Sequence, residues 1–153
     1  MNCSFVVDAM LGTLAKWLRI LGYDAVYDPG LDDYQLMRLA RAEGRVLLTR
    51  DGELARRRGI ETLLVESQVL EEQLRQVLDE LDLEPAPAFS RCPVCNEPLV
   101  PLDREAARDR VPAYVARTHE HFRLCPGCGR VYWRGSHWQQ MEGRLESLRR
   151  RDS

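Results

Sequence analysis

The chain has 153 residues, of which 44% are hydrophobic and 30% are charged, and its formal net charge is −2. This length fits one ordinary domain or a small domain with an added module, and the charge excludes binding of polyanions by bulk charge alone. No run reaches the about 18 apolar residues of a membrane span. Asp8 interrupts the apolar run near the N-terminus, which argues against a signal peptide. We therefore expect a cytoplasmic protein without a membrane segment.

Four strand–helix units follow one another in the first half. Strands are predicted at 5–7, 24–27, 46–49 and 60–65, and apolar stripes at helical spacing follow each of them. The first helix is predicted to end at Gly22, and the second to begin at Asp32 or Asp33 and end at Gly44. The third is predicted to begin after Asp51, which caps it, and to end at Arg58, before Gly59. The fourth is predicted to follow Ser67 as its cap. This succession predicts a parallel sheet covered on both faces, a three-layer α/β domain.

The composition changes at residues 84–88, where two prolines in five residues favour an extended linker. We expect a domain at 1–84, a linker at 85–90 and a second domain at 91–153. Residues 1–88 carry 10 basic and 16 acidic residues, whereas 89–153 carry 12 and 8. This asymmetry fits an acidic catalytic half and a basic half that touches nucleic acid. However, 21 of the 22 basic residues are arginine, which genome composition would also explain.

Two Cys-x-x-Cys pairs give the most specific chemical signal, Cys92 with Cys95 and Cys125 with Cys128. Each pair places two thiolates on one side of a tetrahedral ion, so we predict a Zn²⁺ site. Four sulfur ligands leave no open position, which makes the zinc structural. A redox pair is the rival interpretation, but redox pairs usually occur singly at a βα turn. His119 and His121 lie between the pairs and are alternative ligands, although loop positions are the simpler explanation. Cys3 is predicted to be a small buried hydrophobe.

Three aspartates are the candidate catalytic residues. Asp8 ends the first strand, Asp33 begins the second helix and Asp51 follows the third strand. Because parallel strands lie about 4.8 Å apart, carboxylates at their carboxyl ends can converge on one ion. Oxygen donors suit Mg²⁺ or Mn²⁺, which activate water against a phosphodiester. The simpler explanation for Asp33 and Asp51 is helix capping. Asp32 is an alternative to Asp33, and Glu53 and Glu66 are candidates for a fourth carboxylate.

The candidate substrate-binding residues are Lys16, Arg19, Arg50 and His137. Lys16 is the only lysine, and Arg19 lies three residues further along the same helix, although an exposed helix charge is the default for either. The segment 133–138 places two tryptophans around Gly-Ser-His. Such residues stack bases and touch phosphates, but we favour slightly the interpretation that both tryptophans dock the zinc module and the last helix onto the first domain.

Several segments resemble one known family over nearly the whole chain. They are FVVDAMLGTLAKWLRILGYD, DDYQLMRLARAEGR, LLTRD, the two CPxC pairs and VYWRGSHW. Together they resemble the PIN-like RNase domain family named for the C-terminal part of the exonuclease Mut-7, and LLTRDGEL is similar to the T-x-D-x-x-L signature of PIN nucleases.

The resemblance implies a PIN-like three-layer fold followed by a zinc ribbon. It also implies a metal-dependent ribonuclease activity carried by Asp8, Asp33 and Asp51, with RNA as the partner. Glu66 is the nearest candidate for the fourth acidic residue of PIN nucleases. The alternative function is a non-catalytic RNA-binding module of an RNA-processing or translation complex. Homodimerisation and a protein partner are left open.

Overall fold

The computed structural model describes residues 3–83 and 90–135, together with residues 139, 140 and 143. Its strands are β1 (Ser4–Val7), β2 (Asp24–Tyr27), β3 (Val46–Thr49), β4 (Thr62–Leu64), β5 (Val100–Leu102), β6 (Phe122–Leu124) and β7 (Val131–Tyr132). Its helices are α1 (Gly12–Ile20), α2 (Asp33–Glu43), α3 (Gly52–Ala55), α4 (Leu70–Glu80), α5 (Arg104–Ala107) and α6 (Ala113–Thr118), with 3₁₀ turns at Ala9–Leu11 and Arg108–Arg110. Within these described residues, no helix is long and apolar enough to cross a membrane.

The first four strands form one parallel sheet in the order β2-β1-β3-β4. The side chains of alternate residues of β1 lie on opposite faces of the sheet, as the two-residue period of a strand requires. Phe5 and Val7 pack with the buried side chains of α1 and α4, whereas Val6 packs with those of α2 and α3. The predicted three-layer α/β architecture is confirmed. We call residues 3–83 the α/β unit.

Residues 90–135 form the ribbon unit, a three-stranded antiparallel sheet β5-β6-β7 with the four cysteines at one end. A second small cluster in this unit contains Ala107, Val115 and Phe122, and Trp133 packs against it. The described apolar contacts of Trp133 lie within the ribbon unit, and the prediction that both tryptophans dock the module and the last helix onto the first domain stays a prediction. Several predicted features lie outside the described residues: Trp138, His137, residues 85–89 of the linker and most of the last helix.

The predicted boundaries needed three corrections. The third helix ends at Ala55 rather than Arg58, because the Thr62 hydroxyl donates to the Ala55 carbonyl and three exposed arginines follow. The fourth strand covers only Thr62–Leu64. Ser67 does not cap the last helix of the α/β unit. The Ser67 hydroxyl accepts the N–H of Val69, which is the capping residue, so Ser67 belongs to the turn before the helix.

Candidate active site and metal centre

The end of β1 and the end of β3 are joined by a hydrogen-bonded chain of three side chains. The sheet register sets Val7 beside Leu48, which brings Asp8 beside Thr49. The fully buried Thr49 hydroxyl donates to Asp8 Oδ2 at 2.7 Å and accepts the Asp51 N–H at 3.0 Å. The backbone N–H of Asp8 also donates to the Leu48 carbonyl at 3.0 Å. Asp8 and Asp51 are thus held at one edge of the sheet through Thr49.

Asp51 also caps α3. Its Oδ1 accepts the N–H groups of Glu53 at 2.9 Å and Leu54 at 3.4 Å, as expected for a residue that precedes a helix. The simpler explanation for Asp51, helix capping, is therefore correct for its Oδ1 atom. Capping uses one carboxylate oxygen and leaves Oδ2 available for a ligand.

Asp32 and Asp33 have separate places at the start of α2. Asp32 forms a capping box, since its Oδ1 accepts the Gln35 N–H at 2.8 Å while Gln35 Oε1 accepts the Asp32 N–H at 2.9 Å. Asp33 is exposed in the first helical turn, beyond the carboxyl end of β2. Because Asp32 is committed to the cap, Asp33 is the better candidate for the acidic site.

The three aspartates are less closely gathered than the cysteines. Among the described residues, the four thiols are the one group of three or more His, Cys, Asp or Glu side chains whose ligand atoms all lie within 4.8 Å of one another. Neighbouring carboxylates repel one another unless a cation neutralises them. Glu53 and Glu66, the candidates for a fourth ligand, are both exposed, and the Glu66 N–H donates to Gln76 Oε1 at 3.0 Å.

A close contact fixes the turn that follows Asp8. The Tyr27 hydroxyl donates to the Ala9 carbonyl at 2.8 Å. A Cβ on Gly12 would lie 2.8 Å from that hydroxyl oxygen, so only glycine lets the ring cover the start of α1. The Tyr27 side chain therefore ties the end of β2 to the residue next to Asp8.

The four cysteines lie in two turns with the same backbone pattern, which we call the first knuckle (92–97) and the second knuckle (125–130). In each, the residue after the second cysteine donates its N–H to the first cysteine carbonyl at 2.8 Å and has a left-handed backbone. These residues are Asn96 (φ 65°) and Gly129 (φ 77°), types that tolerate this conformation. The Cys-x-x-Cys pairs are thus two copies of one turn.

The thiol geometry fits zinc. The Sγ atoms of Cys92 and Cys128 are 3.8 Å apart, close to the about 3.8 Å edge of a tetrahedron with Zn–S bonds of about 2.3 Å. Hydrogen bonding by the Arg130 N–H lowers the pKa of Cys128 to about 6, against the opposing effect of burial. The cluster could therefore hold a zinc ion with four cysteine ligands. His119 is not part of it, and its Nδ1 lies 2.9 Å from the Thr118 hydroxyl.

Arg19 joins the two units. It was predicted to contact the substrate, but it is only 8% exposed. Its Nε donates to the Ala25 carbonyl at 2.8 Å, and its Nη1 donates to the carbonyls of Pro93 at 2.8 Å and Val94 at 3.3 Å in the first knuckle. Burial lowers the pKa of Arg19, while the nearby Cys92 and Asp24 act in the opposite direction. This placement makes Arg19 a link between the two units, and its predicted contact with the substrate stays a prediction.

The family assignment follows from a match over nearly the whole chain. The sequence pattern of the Mut7-C RNAse domain matches residues 3–145. The chain belongs to the Mut7-C RNAse domain family. No match was found among curated proteins or among solved structures. The resemblance seen in the motifs is thereby confirmed. At family level this Mut7-C chain is a ribonuclease-type enzyme, and RNA is the substrate class that the family implies.

The other predicted substrate contacts of this Mut7-C chain, Lys16, Arg50 and His137, stay predictions. Lys16 is exposed on α1. Arg50 lies between Thr49 and Asp51, and its Nε is buried without a hydrogen-bond partner among the described residues. A buried guanidinium nitrogen without a partner is energetically costly, and the predicted contact of Arg50 with the substrate stays a prediction. His137 lies outside the described residues, so its predicted role is untouched by the structure.

Sequence reasoning missed three positions in this Mut7-C chain. Thr49 is the first residue of the T-x-D-x-x-L signature, but no role was predicted for it. The signal that could have found it is the spacing, because its hydroxyl lies two residues before the Asp51 carboxylate. Tyr27 and Asn96 act through tertiary contacts, for which the sequence holds no local pattern.

Proposed function

We propose that the chain is a PIN-type ribonuclease that hydrolyses RNA phosphodiester bonds with Mg²⁺ or Mn²⁺ held by Asp8, Asp33 and Asp51. The observation that carries the proposal is the link from Asp8 through Thr49 to Asp51 at the carboxyl ends of two adjacent parallel strands. This is the edge at which open α/β sheets bind their ligands. Membership of a ribonuclease family supports the choice of RNA as the substrate.

The donor set suits a hard divalent cation, which prefers carboxylate oxygens. Thr49 engages only Oδ2 of Asp8, and capping engages only Oδ1 of Asp51, so each carboxylate keeps one oxygen for an ion. When bound, Mg²⁺ or Mn²⁺ supplies activation of water and neutralises charge on the phosphodiester. Thr49 fixes the orientation of Asp8. Arg50 and Lys16 provide positive charge for the RNA phosphates.

We assign the zinc a structural role, because four thiols fill a tetrahedral coordination sphere. The first knuckle, which would hold the zinc through Cys92 and Cys95, contacts the α/β unit through Arg19 and Asn96. The cytoplasmic location that cysteine usage predicts, and a homodimer, stay predictions.

The test is cleavage of a mixed pool of single-stranded and structured RNA by the zinc-loaded chain, with Mg²⁺, with Mn²⁺ and in buffer depleted of both. Cleavage that requires one of these ions supports the proposal. RNA that is bound but intact under all three conditions would favour the alternative function, a non-catalytic RNA-binding module. Zinc content is measured in each sample so that loss of the structural ion is not mistaken for loss of a catalytic one.

A further inference from the structure

A basic surface lies in the ribbon unit, outside the proposed catalytic edge. A cavity of about 710 Å³ opens there between α6 and the end of the β6–β7 pair. Its lining includes Arg117, Arg123, Arg134, His121 and Trp133. Neither the proposed catalysis nor the zinc site uses any of these side chains.

The cavity carries an excess of positive charge. Four arginines line it, against one carboxylate from Glu120. Arg117 and Arg134 are exposed, and neither makes an ion pair with a described carboxylate. Arginines gathered in a concave surface raise the local concentration of anions, and guanidinium groups match phosphate oxygens in shape. The chemistry of the lining therefore indicates a phosphate-bearing ligand.

Aromatic side chains lie beside this charge. Arg123 is the register partner of Tyr132 across the β6–β7 ladder, and Trp133 follows directly. The Tyr132 hydroxyl lies 3.0 Å from Cys92 Sγ, which anchors this wall of the cavity to the cysteine cluster. An indole and guanidinium groups in the lining of one cavity are suited to an unstacked base with its phosphate, and a base inside a duplex is not available for such stacking.

A groove between α1 and the first knuckle shares one lining residue with this cavity. It has a volume of about 560 Å³ and is lined by Lys16, Tyr27, Arg130 and Tyr132, among others. Tyr132 belongs to both the cavity and the groove. At the other end Tyr27 contacts Ala9, next to Asp8. The groove thus adjoins the cavity at Tyr132 and approaches the sheet edge at Tyr27, and three cations line it, Lys16, Arg19 and Arg130.

We propose that the ribbon-unit cavity binds a nucleotide of single-stranded RNA, with Arg117, Arg123 and Arg134 on the phosphates and Trp133 under the base. The strand then follows the groove past Lys16 and Arg130 towards Asp8. This inference rests on the proposed function, since it names the surface that presents the substrate to the catalytic edge.

The test compares Arg117→Ala/Arg134→Ala with Arg57→Ala/Arg58→Ala, a control pair of exposed arginines outside the cavity. Binding of a short fluorescent single-stranded RNA is measured by anisotropy across a salt series, without added Mg²⁺ or Mn²⁺. We expect the cavity variant to bind at least about tenfold more weakly, and its plot of log affinity against log salt to be shallower by about 1.4, since each phosphate contact on a single strand contributes about 0.7. Circular dichroism and zinc content check that both variants fold.

Unchanged binding and salt dependence in the folded cavity variant would overturn the proposal, as would an equal loss in the control pair. A blunt RNA duplex of the same sequence is added as a competitor and should displace the probe less well than unlabelled single strand. Equal displacement by the duplex would refute stacking on Trp133. Because no cleavage is measured, failure here is separate from failure of the proposed function, for which the catalytic aspartates are tested directly.

Discussion

Asn96 spans the two units with both ends of its side-chain amide. Its Nδ2 donates to Asp24 Oδ1 at 2.7 Å, and its Oδ1 accepts the Ala25 N–H at 3.1 Å. The same residue takes the left-handed position of the first knuckle, so one side chain connects the cysteine cluster to edge strand β2 of the sheet.

We therefore expect Asn96→Gly to destabilise the chain by about 1–3 kcal/mol, the scale of lost hydrogen bonds that include a charged partner. Glycine keeps the left-handed backbone, so this variant isolates the side-chain contacts. Asn96→Ala should cost about 1 kcal/mol more, because a Cβ is strained at that φ. The measurement is the free energy of unfolding by denaturant. An Asn96→Gly variant as stable as the parent would contradict the account.

Asp24 should make stability depend on acid pH. Burial acts to raise its pKa, but hydrogen bonds from Arg45 and Asn96 outweigh burial and hold the pKa of Asp24 below its ordinary value. A carboxylate with a lowered pKa stabilises the fold above the unfolded value of about 3.9, and this stabilisation is lost as pH falls through the folded value. The gap in melting temperature between the parent chain and Asp24→Asn should narrow below about pH 4. A gap that stays constant or widens on acidification would refute this role.

Zinc should depend on Cys125 and not on Cys3. Cys125 is fully buried in the cysteine cluster, whereas Cys3 is half-buried against the core of the α/β unit. Cys125→Ser should lose most of its zinc by elemental analysis and should lose the ribbon-unit structure with it, because structural zinc supplies folding free energy. Cys3→Ser is the matched control and should keep one zinc per chain. Full zinc in Cys125→Ser would exclude the four-cysteine site.

Thr49 should act as a positioning residue for Asp8. Thr49→Val keeps the shape of the side chain but removes the hydroxyl that bridges Asp8 and the Asp51 N–H. We expect kcat for RNA cleavage to fall by roughly tenfold or more, as a misplaced catalytic group allows, with little change in KM. Thr49→Ser keeps the hydroxyl and should restore most of the rate. If Thr49 had a purely structural role, Thr49→Val would lower the free energy of unfolding but would not lower kcat at unchanged KM.

The sequence predicted the fold because local signals agreed with the tertiary structure. Phe5, Val6 and Val7 mark a strand buried on both faces, and the stripe from Leu11 to Leu21 faces that strand in the structure. The cysteine site was predictable for the same reason, since each Cys-x-x-Cys pair forms a local turn whose geometry depends on neighbouring residues only. Such features need no knowledge of distant residues.

The parts that could not be predicted depend on contacts between distant residues. Arg19 looked like a surface cation on a helix, but it is buried because the first knuckle, more than 70 residues away, supplies carbonyl acceptors. The described apolar partners of Trp133, which are Ala107, Val115 and Phe122 within the ribbon unit, likewise had no local signal. Charge type and aromatic content alone do not tell which surface will cover a side chain.

The most direct test of the account is cleavage under single-turnover conditions by the parent chain, Asp8→Asn and Asp79→Asn, each zinc-loaded and titrated with Mn²⁺. Asp79 is an exposed residue near the end of α4 that pairs with Arg75, so it controls for loss of one acidic charge. We expect Asp8→Asn to cleave at least about a hundredfold more slowly than the parent, and Asp79→Asn to match the parent at every Mn²⁺ concentration. Cleavage by Asp8→Asn at the parental rate, or a parental cleavage rate that does not depend on the Mn²⁺ concentration, would contradict the claim that this aspartate belongs to a metal-dependent ribonuclease site.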